Sequence, residues 1–358
     1  MKTLMLYINS LHKGGAQRVM VQLADRFSQA GYRSILVTSF EGTDEYALPA
    51  GVERITIEKE QIQQSRLKSN FSRISALRKL CKEHKPQALI AFMAEPNFRA
   101  VLAAAALPVK TIISVRNDPD KEYAGKLFRF VGKNILPMAD GCVFQTADAK
   151  AWFPTRLQNK SAIIMNQVSR SFYEESPAAQ KRDIYTVGRL NAQKNQRMLI
   201  NAYARLENCD DRLIIYGEGE LRAELTALVA ELGLEGRVLL PGLSENIPAD
   251  IKAAKIFVLP SDYEGMPNAL LEAMALGLCC VSTDCPCGGP REIIDEGING
   301  LLFPVGDENA LAVCLDRLLK DTSLREKLEQ GAKLKAEDFS PDRIFEQWQA
   351  FVEKIISE

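Results

Sequence analysis

The sequence contains only two histidines, His12 and His84, and only two tryptophans among its 358 residues. Few histidines are therefore present to assist the cysteines in a zinc site. No apolar run approaches the ~18 residues that a bilayer-spanning helix needs. The N-terminal stretch also lacks the uninterrupted apolar core of a signal peptide. These absences predict a protein of a reducing compartment with no membrane-spanning helix.

The eight cysteines include a cluster that could suggest a metal site, formed by Cys279, Cys280, Cys285 and Cys287. Its spacing, C-C-x4-C-x-C, matches none of the standard zinc patterns. Free cysteines are among the most buried residue types. We therefore predict buried, small apolar side chains there, with no metal and no disulfide bonds.

The formal net charge of −1 hides a strong asymmetry along the chain. Residues 1 to 170 carry 25 basic and 14 acidic side chains, a charge of +11, whereas the remainder carries 20 basic and 32 acidic ones, a charge of −12. Such a split indicates that the first half faces an anionic partner, which could be nucleic acid, a membrane surface or a phosphorylated substrate. A basic surface that is merely solvated explains the same count.

Short apolar runs alternate with longer amphipathic ones, which is typical of α/β proteins with doubly wound parallel sheets. The length favours two such domains. We predict domains at 1–170 and 171–340, and a terminal helix at 341–358 that starts at Ser340-Pro341 and returns to the first domain. The linker is expected around Pro177. The predicted strands are Thr3–Asn9, Ser34–Phe40, Gln87–Met93, Thr111–Val115, Cys142–Gln145 and Ala162–Met165, then Asp183–Val187, Leu213–Tyr216, Arg237–Leu240, Ile256–Pro260 and Cys280–Thr283.

Ligands of such sheets bind beyond the carboxyl ends of the strands, so the loops that follow the strands are the candidate sites. Gly14 and Gly15 stand at a predicted helix start, where backbone N–H groups can approach a phosphate, although a simple tight turn fits equally well. Arg189 and Lys194 follow a strand of the second domain and suit a diphosphate. Neither a G-x-G-x-x-G nor a P-loop motif occurs.

The most informative segment runs from Ser261 to Met274. Pro267 is predicted at the first position of a helix, which would leave the N–H groups of Asn268, Ala269 and Leu270 unpaired and directed at an anion. Glu264 and Glu272 add carboxylates, which accept hydrogen bonds from sugar and ribose hydroxyls. Two glutamates at this spacing are common by chance, so the argument depends on their context.

These motifs together resemble a known family. The segments GGAQR at 14–18, VGRLNAQKN at 187–195, GEGEL at 217–221, DYEGMPNALLEAMALG at 262–277 and CGGPREI at 287–293 look like the retaining nucleotide-sugar glycosyltransferases of family four. The resemblance implies the GT-B fold, in which two Rossmann-like domains flank a cleft and helices close the chain. It is closest to bacterial enzymes that add hexose or N-acetylhexosamine to polyprenyl-diphosphate-linked saccharides.

The resemblance also implies roles for individual residues. Arg189 and Lys194 would bind the diphosphate of a UDP-sugar and Glu264 a sugar hydroxyl, and these three are the candidate catalytic residues. No metal or other cofactor is required, and the departing diphosphate would itself deprotonate the acceptor. The expected donor-binding set is Gly14, Gly15, Arg189, Lys194, Glu218, Gly219, Leu243, Glu264, Met266, Asn268, Ala269, Leu270 and Glu272, and the expected acceptor side is Arg18, Glu95, Arg116 and Asn117.

Two basic amphipathic segments, at 64–85 and 121–133, could lie on anionic lipid. In the first, Leu67, Phe71, Ile74, Leu77 and Cys81 recur at helical spacing; the alternative is that this stripe packs inside the domain. We expect a cytoplasmic enzyme held peripherally at the inner face of the membrane. Two other functions remain open: a sugar-nucleotide epimerase of the same fold, and a nucleic-acid-binding protein, which the absence of any known nucleic-acid motif disfavours.

Overall fold

The computed structural model describes residues 1–58, 66–176, 178, 180–207 and 209–358. The chain forms two compact units. Unit 1 comprises Met1–Asn166 together with Asp342–Glu358, and unit 2 comprises Gln167–Pro341. The chain therefore passes between the units at 166/167 and 341/342, close to the boundaries that we expected at 170/171 and 340/341. Pro177, which marked the expected linker, lies outside the described residues.

Unit 1 is built on a seven-stranded parallel sheet with the strand order β3-β2-β1-β4-β5-β6-β7. Its central strands are buried on both faces, as parallel sheets require. The strands are β1 Thr3–Ile8, β2 Arg33–Thr38, β3 Val52–Thr56, β4 Ala88–Phe92, β5 Lys110–Ser114, β6 Gly141–Phe144 and β7 Ser161–Ile163. The helices are α1 Gly15–Gln29, α2 Arg66–His84, α3 Ala94–Ala104, α4 Pro119–Glu122, α5 Lys126–Phe130, α6 Ala147–Trp152 and α7 Thr155–Gln158, with a π-helical turn at Val131–Ile135 after α5.

Alternate side chains of β1 enter two separate cores. Leu4 and Leu6 pack on the face that carries α1, whereas Met5 and Tyr7 pack on the face that carries α2 and α3. This alternation follows from the two-residue period of a strand. The sheet of unit 1 is therefore covered by helices on both faces.

Unit 2 repeats the arrangement with a six-stranded parallel sheet of order β10-β9-β8-β11-β12-β13. The strands are β8 Arg182–Val187, β9 Leu213–Tyr216, β10 Val238–Gly242, β11 Ala254–Leu259, β12 Cys279–Thr283 and β13 Leu301–Phe303. The helices are α8 Arg170–Glu174, α9 Gln196–Ala204, α10 Arg222–Glu231, α11 Ile247–Ile251, α12 Asn268–Ala275, α13 Gly289–Ile293, α14 Glu308–Lys320 and α15 Thr322–Ala336.

The last helix, α16 Pro341–Ser357, begins at the proline where the sequence predicted it. Asp342 and the residues that follow it belong to unit 1. Its apolar side chains are buried: Trp348 is almost fully buried with its ring 5.6 Å from that of Phe92, and Phe345 lies edge-on to Phe27 at 5.2 Å. The C-terminal residues thus complete the α1-side core of unit 1.

The apolar stripe of helix α2 is only partly buried inside unit 1. Leu77 and Cys81 are buried in the core beneath the sheet, and Ile74 packs partly against them. Arg73 is buried and paired with Glu58 at 2.8 Å. Part of the segment, 64–65 and the side chains of 66 and 67, lies outside the described residues. The C-terminal part of the stripe therefore packs inside unit 1 and contributes to the core on this face of the sheet, whereas Phe71 is 77% exposed.

The four clustered cysteines are buried, small apolar side chains, as predicted. Cys279, Cys280 and Cys285 are fully buried and Cys287 nearly so. Burial raises the pKa of the Cys279 thiol to about 12, so it stays a neutral thiol at neutral pH.

Candidate functional site

The loop after β8 carries Arg189 and is fixed by close backbone approach. A Cβ atom on Gly217 would lie 1.9 Å from the carbonyl oxygen of Gly188, and one on Gly219 would lie 2.2 Å from that of Leu190. The N–H of Leu190 donates to the carbonyl of Glu218 at 2.9 Å. Glycine is needed at 217 and 219 because any side chain would push this loop away. The GEGEL motif thus positions the Arg189 loop.

Lys194 and Glu264 meet in a short ion pair. The Nζ atom of Lys194 lies 2.5 Å from Oε1 of Glu264, and their side chains are 21% and 8% exposed. Lys194 ends a 3-10 turn, Ala192–Lys194, whose start is capped by the Asn191 side chain. Pairing in this largely buried setting fixes the positions of both side chains.

Three further contacts join the same two loops. The Nδ2 group of Asn195 donates to Oδ1 of Asp262 at 2.7 Å, and Gln193 donates through Nε2 to the carbonyl of Tyr263 at 2.9 Å. The N–H of Asp262 donates to the carbonyl of Gln193 at 2.9 Å. Strands β8 and β11 are neighbours in the sheet, so the loops at their carboxyl ends form one rigid polar surface.

Arg189 contributes a free cation beside this surface. Its side chain is exposed and makes no hydrogen bond or ion pair with any residue that the structure describes. Its carbonyl, in contrast, is held by Nε2 of Gln196 at 3.0 Å. A fixed backbone with a free guanidinium suits the capture of an anion.

Sequence patterns alone did not reveal two polar side chains in these loops. The Oε1 atom of Gln196 and the hydroxyl of Ser261 are buried and have no partner among the described residues. Buried polar atoms are nearly always hydrogen-bonded, so these two stand out. Gln196 opens α9 and Ser261 follows β11, and their positions at strand and helix ends are the signal that could have found them.

The start of α12 differs in one respect from the expectation. The N–H of Leu270 donates to the carbonyl of Pro267 at 3.1 Å, so the prediction of an unpaired amide at Leu270 is wrong. Pro267 caps the helix and Asn268 is its first residue, one position later than predicted. This shift lets the Pro267 carbonyl accept the first helical bonds. The N–H of Ala269 has no partner within the described part of the chain.

The remaining predicted donor residues of unit 2 surround these loops. Glu272 of α12 and Met266 are both 6% exposed. Leu243, just after β10, is 77% exposed, an unusual position for a large apolar side chain. Glu218 is paired with Arg222 at 2.6 Å and is half-exposed. All of them stand at the carboxyl-terminal edge of the same sheet, where the loops offer cations, a free amide, carboxylates and an apolar surface.

Unit 1 holds the other predicted residues. Gly14 caps α1, Gly15 is its first residue and Arg18 lies in its first turn. Asn117 accepts a hydrogen bond from the N–H of Asp118 at 2.9 Å through its side-chain oxygen. Glu95, in the first turn of α3, is paired with Arg99 at 2.8 Å.

Arg116 lies at the carboxyl end of β5, with its guanidinium 4.4 Å from the ring centroid of Phe92. It also donates to the side-chain oxygen of Asn166. Burial lowers the pKa of Arg116 to about 9, so the group still carries its charge at neutral pH. The structure thus places the positively charged Arg116, fixed by these contacts, at the carboxyl-terminal edge of the unit 1 sheet.

Two family models together match almost the whole chain. The model described as Glycosyltransferase Family 4 matches residues 13–170, and the one described as Glycosyl transferases group 1 matches residues 169–335. A Campylobacter jejuni N-acetylgalactosamine-N,N'-diacetylbacillosaminyl-diphospho-undecaprenol 4-alpha-N-acetylgalactosaminyltransferase is 31% identical over 284 residues, 75% of this chain and 76% of the relative. The chain belongs to the family 4 glycosyltransferases.

A second glycosyltransferase relative covers more of the chain. A C. jejuni GalNAc-alpha-(1->4)-GalNAc-alpha-(1->3)-diNAcBac-PP-undecaprenol alpha-1,4-N-acetyl-D-galactosaminyltransferase is 28% identical over 355 residues, 97% of both chains. This chain therefore matches glycosyltransferases along nearly its full length.

Solved structures agree on the fold. Anabaena Alr3699/HepE in complex with UDP superposes with a TM-score of 0.83 at 20% identity, covering 99% of this chain and 100% of that one. Sucrose-phosphate synthase of Thermosynechococcus elongatus gives 0.87 at 18% identity over both whole chains. The predicted GT-B class with Rossmann-like parallel sheets is confirmed. In the described ranges, the family 4 chain has no helix long and apolar enough to cross a membrane.

Proposed function

We propose that this family 4 glycosyltransferase moves a hexose or N-acetylhexosamine from a UDP-sugar to a polyprenyl-diphosphate-linked saccharide, with retention of configuration, in the assembly of a bacterial surface glycan. The names of both C. jejuni relatives support the acceptor class, and the UDP complex of a structural neighbour supports the donor. The observation that carries the proposal is the Lys194–Glu264 ion pair, whose lysine stands in the same loop as the free cation Arg189.

In this mechanism the bond between the sugar C1 and the diphosphate oxygen breaks, and its electron pair leaves with UDP. The acceptor hydroxyl attacks C1 from the same face and transfers its proton to the departing diphosphate. Negative charge grows on the diphosphate, and fixed cations that meet this charge lower the barrier. Arg189, Lys194 and the free N–H of Ala269 are the groups we assign to this task, with no metal or other cofactor.

We assign different parts of the donor to the two residues of the ion pair. Lys194 lies against Glu264, so the diphosphate and the sugar of the donor can be held by adjacent side chains. We assign Glu264 to a hydroxyl of the transferred sugar and Glu272 to the ribose. The other proposed donor contacts are Gly14, Gly15, Glu218, Gly219, Leu243, Met266, Asn268 and Leu270.

The acceptor is assigned to unit 1 through Arg18, Glu95, Arg116 and Asn117. The formal charge of +11 in residues 1 to 170 suits a diphosphate-linked acceptor and an anionic membrane surface. Nucleic acid is the weaker partner.

The decisive experiment is a panel of UDP-sugars offered with a polyprenyl-diphosphate-linked saccharide. We expect one UDP-hexose or UDP-N-acetylhexosamine to give a product heavier by one sugar, measured by mass spectrometry. The proton coupling constant at the new linkage should show the anomeric configuration of the donor. An inverted linkage would contradict the retaining mechanism, and conversion of the donor without any acceptor would favour an epimerase.

Of the two basic segments, the one that contains α5 is the membrane-attachment site tested here. Leu127 and Phe130 are 68% and 54% exposed, and no residue of this helix is buried. Lys126 and Arg129 of the same helix are also exposed, and each basic residue near anionic lipid can add about 1 kcal/mol. Replacing Leu127 and Phe130 together by serine should reduce co-sedimentation with phosphatidylglycerol-containing vesicles at least about tenfold, because burying each apolar side chain contributes about 1.5–3 kcal/mol.

The matched control is Leu334→Ser, which removes a 76%-exposed leucine from α15 of unit 2 and should leave co-sedimentation unchanged. Transfer to a water-soluble acceptor analogue should stay normal in both variants. Equal vesicle binding by the α5 variant and the wild type would overturn the assignment. Salt-sensitive binding to oligonucleotides that exceeds binding to vesicles would instead favour a nucleic-acid partner.

A further inference from the structure

A cavity of about 440 Å³ opens in unit 1 at the carboxyl ends of its central strands. Its wall combines hydrogen-bonding side chains with apolar ones. The lining residues used below are Asn9, Met93, Glu95, Pro96, Glu122 and Phe128. Glu122 ends α4 and is not part of any motif that the sequence analysis identified.

One carboxyl oxygen of Glu122 accepts a hydrogen bond, and the other lacks a hydrogen-bond donor. Its Oε1 accepts a hydrogen bond from the N–H of Ala94, the first residue of α3, at 2.7 Å. Its Oε2 is buried and has no partner among the residues that the structure describes. A buried carboxyl oxygen without a donor is costly, so a donor from a ligand in the cavity would stabilise it.

The charges around Glu122 are few. Burial raises the pKa of Glu122 to about 7, although the N–H of Ala94 and both the positive charge and the backbone N–H of Arg116 oppose this rise. From α3, Glu95 faces the same cavity but is neutralised by Arg99. Next in the chain, burial raises the pKa of the Tyr123 phenol well above its usual value, so it stays neutral. From α5 only Phe128 lines the cavity.

The lining selects a class of ligand. Among its described residues, the lining contains carboxyl groups and no cationic side chain, which disfavours a phosphate group in the cavity, whereas carboxylates accept hydrogen bonds from hydroxyls. Asn9, held through its side-chain oxygen by Arg99 at 2.6 Å, adds a further polar group, and Pro96 and Phe128 offer apolar surface. A neutral ligand rich in hydroxyls and with apolar faces fits this lining, which describes a sugar ring.

We propose that ionised Glu122 binds a hydroxyl of the acceptor saccharide in this cavity. The assignment rests on the proposed function for the identity of the saccharide as the acceptor. A hydroxyl donates more strongly to a carboxylate than to a neutral acid, so acceptor binding strengthens as pH rises through the pKa of Glu122. Binding should in turn lower that pKa.

The test is calorimetric titration with a short-chain prenyl diphosphate that carries an N-acetylhexosamine disaccharide. A carboxyl group with a pKa near 7 is ionised in about one molecule in ten at pH 6 and in about nine in ten at pH 8, so the wild-type Kd should fall by up to about ninefold between them. Glu122→Gln keeps the shape and the contact with Ala94 but cannot ionise. Its Kd should match the pH 6 value of the wild type or exceed it, and should not vary with pH.

Asp120→Asn is the matched control, since it removes a negative charge from α4 at an exposed residue that does not line the cavity. It should keep the wild-type profile. The same prenyl diphosphate without sugars should bind the wild type and Glu122→Gln equally at pH 8, because Glu122 is assigned to the saccharide. UDP should bind all three proteins alike.

A flat wild-type profile between pH 6 and pH 8 would overturn the proposal without any variant. A pH-dependent profile retained in Glu122→Gln would also overturn it and leave Glu122 a purely structural role at α3. Failure of the proposed function would give a different result. The wild type would then bind no UDP and transfer no sugar, regardless of the effect of Glu122→Gln.

Discussion

Replacement of Lys194 by alanine is expected to lower kcat/KM for sugar transfer by about 10²–10³-fold, the usual cost of removing one preorganised group that meets charge in the transition state. The structure holds the Lys194 ammonium 2.5 Å from Glu264 in a loop that several side-chain and backbone contacts fix.

Substitutions of Lys194 and of Glu264 should have different effects on UDP binding and on sugar transfer. Lys194→Ala should weaken UDP binding at least about tenfold, as loss of a charge-assisted contact of 1.5–3 kcal/mol implies. Glu264→Gln should leave UDP binding close to normal and lower only transfer, because Glu264 is assigned to the sugar. Lys320→Ala, which removes a 73%-exposed lysine from α14, is the control for loss of one positive charge and should change neither quantity. Wild-type UDP affinity in purified Lys194→Ala would contradict the assignment.

Much of the fold was predictable because apolar runs and turn residues are local signals. Eleven strands were expected near their observed positions, but β3 Val52–Thr56 and β13 Leu301–Phe303 were missed. β3 is an edge strand with a single buried residue, and β13 has only three residues. Neither produces the continuous apolar run by which buried parallel strands are identified.

The candidate site was predictable only where it is made of contiguous motifs. Arg189, Lys194 and Glu264 stand in such motifs, but the sequence could not show that Lys194 pairs with a glutamate 70 residues away. The local pattern also could not reveal that Leu77 of α2 would be buried in the core, since an amphipathic helix fits a lipid surface and a sheet equally well. The sequence could not identify Glu122 as a candidate, because its burial and its position in the cavity arise only when the chain folds.

Replacement of Gly217 by alanine should damage both stability and donor binding. The new Cβ would lie 1.9 Å from the carbonyl oxygen of Gly188, and the backbone φ of 141° is one that side chains rarely adopt. Overpacking costs about 1–3 kcal/mol and a strained backbone about 1–2 kcal/mol more, so the free energy of unfolding should fall by about 3 kcal/mol. Because the clash moves the backbone next to Arg189, UDP affinity should also fall about tenfold or more.

Gly236→Ala separates the clash from the backbone strain. Gly236 also has a positive φ, 77°, but nothing lies within 4 Å of the Cβ position. This variant should lose only about 1 kcal/mol of stability and should bind UDP normally. Urea unfolding followed by circular dichroism measures the first effect, and calorimetric titration with UDP measures the second. If Gly217→Ala and Gly236→Ala have the same effects on stability and UDP affinity, close packing of the GEGEL loop does not position Arg189. If only Gly217→Ala weakens UDP binding, the GEGEL motif acts by fixing the backbone that carries Arg189.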